Sequence, residues 1–321
     1  MIPKELFLDN IKKTHQQLSK YVVKTPLVKG SKLINTILST NIFFKMEFFQ
    51  NAGTFKARGA INNVLNLNKI QKASGITAVS AGNHAIASSY VANKFNLKNK
   101  IFMYDSANKY RINKCKNLNA NLIFTNPHNA FREVEIASKN EDYFFIHPFD
   151  GKFTLQGTAS LGYEICNDIN EIDNILISVG GGGLISGIGS AIKQIYPKCN
   201  IIGIEPDGAK GLSDSLILNE PLKSVKINTI ADSLAAPLHM PYSFNLAKKV
   251  IDKMVTVTDK QMIDSMKFMF ENFKLMLEPA CVAGVAALLG PLKNQLINQK
   301  TVILLCGSNI DAKSWNNLVF N

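Results

Sequence analysis

The chain has 321 residues, 46% of them hydrophobic, which is enough apolar material for a sizeable core in one large or two smaller domains. Its formal net charge of +12 raises the question of nucleic-acid binding, but the lysines are scattered and no basic run with interleaved aromatic residues occurs. Five widely spaced cysteines without a CxxC pair favour free thiols over a disulfide framework or a zinc site.

Neither a membrane span nor a secretory signal is indicated. No apolar run reaches the roughly 18 residues of a spanning helix, and the first residues lack a basic-then-apolar pattern. We therefore expect a cytoplasmic protein with no membrane or nucleic-acid partner.

Short β-branched and aromatic runs alternate with helical segments, which predicts parallel strands joined by helices. A parallel sheet of this kind is covered by helices on both faces, and its ligands bind beyond the carboxyl ends of the strands. Candidate functional residues are therefore expected just after each strand. The predicted strands span 42–47, 76–80, 100–104, 121–125, 143–147, 174–179, 200–205 and 301–306.

The first such position holds a lysine at the start of a predicted helix, within the run Gly53-Thr-Phe-Lys-Ala-Arg-Gly59. An amine attacks a carbonyl only when unprotonated, and burial or a nearby cation favours that form. Phe55 offers apolar cover and Arg58 offers charge. Lys56 is therefore a candidate for a residue that forms a Schiff base, although a solvated surface amine is the usual alternative for any one of the 33 lysines.

A second motif, Ser80-Ala-Gly-Asn-His84, lies between a predicted strand and a helix. Backbone donors and the helix dipole can hold an anion there, such as the α-carboxylate of a substrate. For His84 alone, packing beside a helix cap is the preferred interpretation. The candidate substrate-binding residues are Ser80, Ala81, Gly82, Asn83 and His84.

Four consecutive glycines follow the strand predicted at 174–179. They can expose backbone N–H groups to an anion with no side chain intervening. The run lacks the Lys-Ser/Thr of a Walker A loop and the spacing of a dinucleotide fingerprint. Gly180, Gly181, Gly182, Gly183 and the following Leu184 therefore form a candidate phosphate cup.

Together these motifs resemble those of the fold-type II pyridoxal phosphate (PLP) enzymes, specifically the threonine/serine dehydratase and serine racemase group. The likeness extends along nearly the whole chain. Further matching runs are Glu205-Pro206, Thr229-Ile-Ala-Asp232, Leu277-Glu-Pro279 and Cys306-Gly-Ser-Asn309.

The resemblance implies an α/β fold like that of the tryptophan synthase β subunit, with two doubly wound parallel-sheet domains and the cofactor between them. Residues 1–70 and 149–321 would form the larger domain, and residues 71–148 a smaller mobile one. Relatives are commonly dimers or tetramers, which predicts a homodimer or homotetramer.

The resemblance also implies roles for single residues. Lys56 would bind PLP, Asn83 its 3'-oxygen, and the glycine run its 5'-phosphate. Cys306 would face the pyridine nitrogen, and Glu278 would lie near the cofactor; a small core residue and a paired surface acid are the alternatives. Arg132 falls where some racemases bind the substrate carboxylate, although a solvated helix residue is the usual alternative.

A divalent-cation site is not predicted. Glu205 and the carbonyl of Ala209 match two ligands of the cation site of the resembled family, but Gly211 stands where metal-dependent relatives have an aspartate. Hard cations need several oxygen ligands. Asp207 is a substitute that we leave open.

The reaction is suggested by Ala81, because serine racemases of this family carry a serine there as the second acid/base group. A methyl group cannot transfer a proton. We expect a dehydratase that converts L-threonine or L-serine to a 2-oxo acid and ammonium, without a C-terminal amino-acid-sensing domain. The alternatives are a dehydratase of threo-3-hydroxyaspartate, which needs a further cationic contact such as Arg132, a serine racemase, and a non-catalytic PLP-binding protein.

Overall fold

The computed structural model describes residues 2–127 and 129–320, and its larger sheet has six strands. Their order across the sheet is β1-β2-β10-β7-β8-β9, and every neighbouring pair is parallel except β1 with β2. The strands are β1 (Leu27–Lys29), β2 (Asn41–Met46), β7 (Asn174–Ser178), β8 (Asn200–Pro206), β9 (Lys253–Val257) and β10 (Lys300–Leu305).

A second sheet has four parallel strands in the order β5-β4-β3-β6. These strands are β3 (Ile76–Val79), β4 (Asn99–Tyr104), β5 (Leu122–Thr125) and β6 (Phe144–Phe145).

Helices connect the strands and cover the sheets. They are α1 (Leu8–Leu18), α2 (Lys32–Leu38), α3 (Lys56–Leu65), α4 (Lys69–Ser74), α5 (Asn83–Lys94), α6 (Lys109–Asn117), α7 (Ala130–Asn140), α8 (Lys152–Asp168), α9 (Gly183–Ile195), α10 (Gly211–Leu218), α11 (Pro241–Val250), α12 (Asp259–Phe273), α13 (Pro279–Leu289) and α14 (Ala312–Phe320). No helix within the described residues is long and apolar enough to cross a membrane.

The core of the larger sheet follows from the side-chain alternation of its strands. In β7, Leu176 belongs to the apolar cluster that contains most of α13, whereas Ile175 and Ile177 pack with residues of α8 and α9. Both faces are therefore covered, as the predicted α/β class requires.

The predicted strands correspond to β2 to β8 and β10, although β6 is reduced to two residues. Two strands were missed. β1 has only three residues, too few for a periodic pattern, and β9 is a five-residue strand at the edge of the sheet.

The two sheets divide the chain much as the sequence divides it, since all strands of the smaller sheet lie between Ile76 and Phe145. Helix α3 packs against α8, which leads into the larger sheet, and against α5, which follows β3 of the smaller sheet. It therefore lies at the boundary between the two sheets. The domain limits at 70 and 149, and the mobility of the smaller unit, stay predictions.

Candidate active site

A cavity opens where the carboxyl ends of the two sheets meet. The residues that line it follow β2, β3, β7 and β10, and they include Lys56, Asn83, the glycines at 180–183 and Cys306. The topology thus brings together motifs that are far apart in the sequence, as parallel sheets do at this edge.

Lys56 is the first residue of α3 and points into this cavity. Its Nζ donates a hydrogen bond to the carbonyl of Pro148 at 2.5 Å and lies 4.9 Å from the ring centroid of Phe55. Burial lowers the pKa of Lys56 to about 8. A useful fraction of the amine is therefore uncharged near neutral pH.

Arg58, two residues later, is not the cause of this shift. Its guanidinium is fully buried and makes paired hydrogen bonds of 2.7 and 2.9 Å to Glu47 and of 3.0 Å to Glu164. The two carboxylates neutralise its charge. The suggestion that Arg58 supplies charge to Lys56 is therefore wrong, and burial alone lowers the pKa of the lysine.

The glycine run forms a turn that leads into α9. Gly182 has a φ of +85°, a conformation that other residues rarely adopt. A Cβ atom at Gly181 would lie 2.1 Å from the ring of Phe149, and one at Gly183 would lie 2.2 Å from the Phe149 carbonyl oxygen. Since the first N–H groups of a helix have no intrahelical acceptor, the turn presents free donors to an anion.

Ser178 lies at the end of β7, just before this turn, and also lines the cavity. Its side chain is 3% exposed, and its hydroxyl has no hydrogen-bond partner among the described residues. Its place in the cavity could not be predicted, because a serine at a strand end has no distinctive sequence pattern.

The Ser80–His84 segment turns into α5 at Gly82. The Ser80 hydroxyl accepts a hydrogen bond of 3.0 Å from the Gly82 N–H, which shapes the turn. Ala81 lines the cavity beside it. The N-terminal N–H groups of α5 face the same space and are suited to a carboxylate.

Asn83 is held by three side chains. Its amide donates to Glu278 at 2.6 Å and to Ser233 at 3.2 Å, and its oxygen accepts from Asn309 at 2.6 Å. Glu278 also accepts from the Asn309 N–H at 2.8 Å, and its burial raises the pKa of the carboxyl. Glu278 is thus a buried residue that orients Asn83, rather than a surface acid.

The His84 side chain also faces the cavity but is fixed by a hydrogen bond of 2.8 Å between Nε2 and the carbonyl of Ile146. Burial, with a contribution from Lys56, lowers the pKa of His84 to about 3. The imidazole is therefore neutral, in agreement with the packing interpretation.

The guanidinium in the cavity wall is that of Arg111, which the sequence analysis missed. Its Nε donates to the Asn309 carbonyl at 2.9 Å, both terminal nitrogens contact Asp232, and Glu278 lies 3.6 Å away. Arg132, the predicted candidate, is exposed on α7 and is not among the residues that line the cavity.

The region of the possible cation site is occupied by protein groups. Glu205 accepts hydrogen bonds from the Leu212 N–H at 2.8 Å and from the Ser213 N–H and hydroxyl at 2.9 and 2.6 Å, and burial raises its pKa to about 7. A Cβ atom at Gly211 would lie 2.7 Å from Nε2 of His239. Within residues 2–127 and 129–320, no group of three or more His, Cys, Asp or Glu side chains is placed to hold a metal.

A family model described as pyridoxal-phosphate dependent enzyme matches residues 18–307. The chain belongs to this family. It is 38% identical over 300 residues to the phenylserine dehydratase of Ralstonia pickettii, covering 93% of this chain and 92% of the relative. It is 32% identical over 316 residues to the L-threonine ammonia-lyase of Thermotoga maritima, covering 97% of this chain and 78% of the relative.

Solved structures agree with this assignment. Maize serine racemase superposes with a TM-score of 0.90 at 29% identity, covering 97% of this chain and 96% of the other. Processed threonine deaminase isoform 2 of Solanum lycopersicum has the same TM-score at 28% identity, covering 97% and 92%. The fold-type II architecture and the dependence on PLP are thereby confirmed.

The residues of the cavity fit this cofactor. A weakly basic amine for its aldehyde, free N–H donors for its phosphate and an unpartnered hydroxyl line one cavity. The glycine turn is shaped by Phe149, which leaves no room for side chains at 181 and 183.

Proposed function

We propose that this chain is a PLP-dependent dehydratase that removes water from a small β-hydroxy amino acid, with L-threonine and L-serine as the first candidates. The products are a 2-oxo acid and ammonium. The observation that carries the proposal is a cavity with one weakly basic amine, Lys56, and with the methyl group of Ala81 where a racemase of this family has its second acid/base residue.

In this proposal Lys56 holds the cofactor. PLP supplies an electron sink that makes the α-proton of a bound amino acid acidic. The Lys56 amine, which would hold the cofactor, is also the group that would accept that proton. Its pKa of about 8, lowered by burial, leaves about a tenth of the amine uncharged at pH 7, far more than for an ordinary lysine.

The N-terminus of α5 binds the substrate α-carboxylate. The turn at Gly82 is fixed by the Ser80 hydroxyl, so the N–H groups of the first helical turn are preorganised for an anion. Asn83 is kept in place by Glu278 and Asn309. Its side chain would contact the 3'-oxygen of the bound cofactor, as the family resemblance implies.

A larger substrate side chain is a second candidate, because the cavity also has an aromatic and apolar part. Tyr104, Phe131 and the segment 234–237 line it. A β-phenyl group would find apolar contacts there, and a phenylserine dehydratase is among the similar proteins. We therefore include 3-phenylserine among the substrates to test.

A second carboxylate on the substrate is less well accommodated. Arg111 is the guanidinium in the cavity wall, but Asp232 and Glu278 already compensate its charge. A dicarboxylate such as threo-3-hydroxyaspartate would have to displace Asp232 from it.

The test is a panel of L-serine, L-threonine, 3-phenylserine and threo-3-hydroxyaspartate, scored for 2-oxo acid release and for formation of the D-isomer. We expect 2-oxo acid from at least one of the first three and no D-serine. Ala81→Ser is the matched variant, in which D-serine should become detectable. D-serine formation by the unmodified protein would refute the elimination assignment, and absence of any turnover by the PLP-loaded protein would favour the non-catalytic alternative.

A further inference from the structure

Arg111 is a buried cation of the cavity wall to which the proposed function assigns no role. It belongs to α6, which follows β4 of the smaller sheet, whereas its partners lie in segments that connect the strands and helices of the larger sheet. Its Nε donates to the Asn309 carbonyl at 2.9 Å, and both terminal nitrogens contact Asp232. Glu278 lies 3.6 Å from its Nη2. The guanidinium therefore joins the two sides of the cavity wall.

The guanidinium also packs against the turn that is suited to a carboxylate. A Cβ atom at Gly82 would lie 2.8 Å from Nη1 of Arg111, so the turn and the guanidinium are in close contact. The N–H groups that follow Gly82 belong to the first turn of α5 and have no intrahelical acceptor. Their direction depends on where Gly82 is held, and Arg111 is one of the groups that hold it.

A second set of contacts leads from Arg111 to Asn83, the first residue of α5. The Asn309 side chain donates at 2.6 Å to the Asn83 oxygen, and the Asn309 carbonyl accepts from Arg111. Glu278 accepts at 2.6 Å from the Asn83 amide and lies beside the guanidinium. Arg111 thus contacts the turn itself and two of the residues that fix the Asn83 side chain.

We infer that Arg111 is a positioning residue, which fixes the turn at Gly82 and Asn83 against the segments of the larger sheet and so preorganises it to bind the α-carboxylate of an amino acid. The inference rests on the proposed function, since it takes this turn as the carboxylate site. The substrate need not touch the guanidinium, because Asp232 and Glu278 already compensate its charge. An anion site whose donors are held rigidly binds more tightly than one that must be ordered on binding.

Helix α6 offers a matched control. Asn108, three residues before Arg111, donates to the Ser314 hydroxyl at 3.0 Å and to Asp311 at 3.4 Å. It joins the same two parts of the molecule, but it is not among the residues that line the cavity. Asn108→Ser removes the amide and keeps a side-chain oxygen for the cap of α6. This variant should weaken the junction without disturbing the carboxylate turn.

The first experiment measures the binding of L-alanine to the PLP-loaded protein by calorimetry. L-Alanine carries the α-carboxylate but has no β-hydroxyl to lose, so its binding is observed without elimination. We expect Arg111→Met to weaken this binding about ten-fold, and Arg111→Lys, which keeps the charge but not the planar fork, to weaken it less. Asn108→Ser should keep the affinity within about two-fold of that of the unmodified protein.

Thermal melting of the same proteins separates positioning from a role in the fold alone. If Arg111→Met melts at a lower temperature but its folded form binds L-alanine as tightly as the unmodified protein, the inference is wrong. An equal loss of affinity in Asn108→Ser would also overturn it, because the effect would then belong to the whole junction. If Arg111→Met does not fold, Arg111→Lys provides the same comparison.

Steady-state kinetics with the substrate that the panel identifies is the second measurement. The KM of Arg111→Lys should rise, whereas kcat should change by less, because Lys56 and not the turn would move the proton. A lower kcat with an unchanged KM would contradict the inference. If the unmodified, PLP-loaded protein neither binds L-alanine nor releases a 2-oxo acid, the proposed function is refuted and the carboxylate role of the turn with it.

Discussion

Lys56 and Arg58 lie two residues apart on α3, yet their surroundings differ completely. Arg58 is enclosed by Glu47 and Glu164, and its donors are satisfied by carboxylates. Lys56 donates to the backbone carbonyl of Pro148, and burial lowers its pKa. The paired cation stabilises the scaffold, whereas the poorly paired one is available for chemistry.

The surroundings of Arg58 and the cavity around Lys56 differ in the same way, in how fully their polar groups are paired. Glu164, which pairs with Arg58, also forms an ion pair with Lys45, whose Nζ lies 2.7 Å from a Glu164 carboxylate oxygen. The same Nζ lies 3.0 Å from a carboxylate oxygen of Asp168. In the cavity, the glycine turn and Ser178 keep polar groups without protein partners. A buried polar group without a protein partner at this place can find one in a bound cofactor.

Replacement of Lys56 should give the largest effect. Lys56→Ala removes the buried amine of the cavity whose pKa is lowered, and we expect a loss of 2-oxo acid formation of about a thousand-fold or more. The fold should be retained, because no ion pair is lost. A variant with activity within ten-fold of the unmodified protein would contradict the catalytic role.

Replacement of Arg58 should affect stability instead. Arg58→Met leaves two buried carboxylates without their main partner and should lower the free energy of unfolding by about 3–5 kcal/mol. Urea denaturation of the apo-protein measures this change. Lys260→Met is the control, since its pair with Asp264 is exposed and should contribute less than about 1 kcal/mol. Similar losses in the two variants would show that the Arg58 cluster is not structural.

Gly181→Ala should have an intermediate effect, on stability or on PLP affinity, because it alters the glycine turn that is proposed to bind the cofactor phosphate. The added Cβ would lie 2.1 Å from the Phe149 ring, and the overpacking should cost about 1–3 kcal/mol in stability or PLP affinity. The cost should be smaller in a Phe149→Ala background, because the space is then open. PLP titration and thermal melting of the four proteins test this coupling, and an unchanged cost would show that Phe149 does not shape the turn.

The pH dependence of PLP capture should show a more modest change. Only uncharged Lys56 attacks the aldehyde, and its folded-state pKa is lowered to about 8, so the capture rate should rise with pH and level off above that value. Stopped-flow mixing of apo-protein with PLP between about pH 6 and 10 measures the midpoint. A midpoint near the ordinary value for lysine would mean that burial does not tune this amine.

Much of the fold and part of the site could be predicted from the sequence. The glycine run, the lysine motif and the strand alternation are local patterns, and each lies within a few residues of its structural consequence. Arg111 was missed because its function in the site depends on Asp232, 121 residues away. The full pairing of Arg58 likewise requires Glu164, 106 residues away. Ser178 stands out only when the absence of a partner is seen in three dimensions.

The most direct test of the central contrast is to reduce the PLP-loaded protein with borohydride, digest it and locate the modified lysine by mass spectrometry. Our account predicts that the cofactor is attached to Lys56, with every other lysine unmodified at one equivalent of PLP. Attachment at a different lysine, or scattered labelling without preference for Lys56, would contradict the assignment of this amine as the cofactor-binding group.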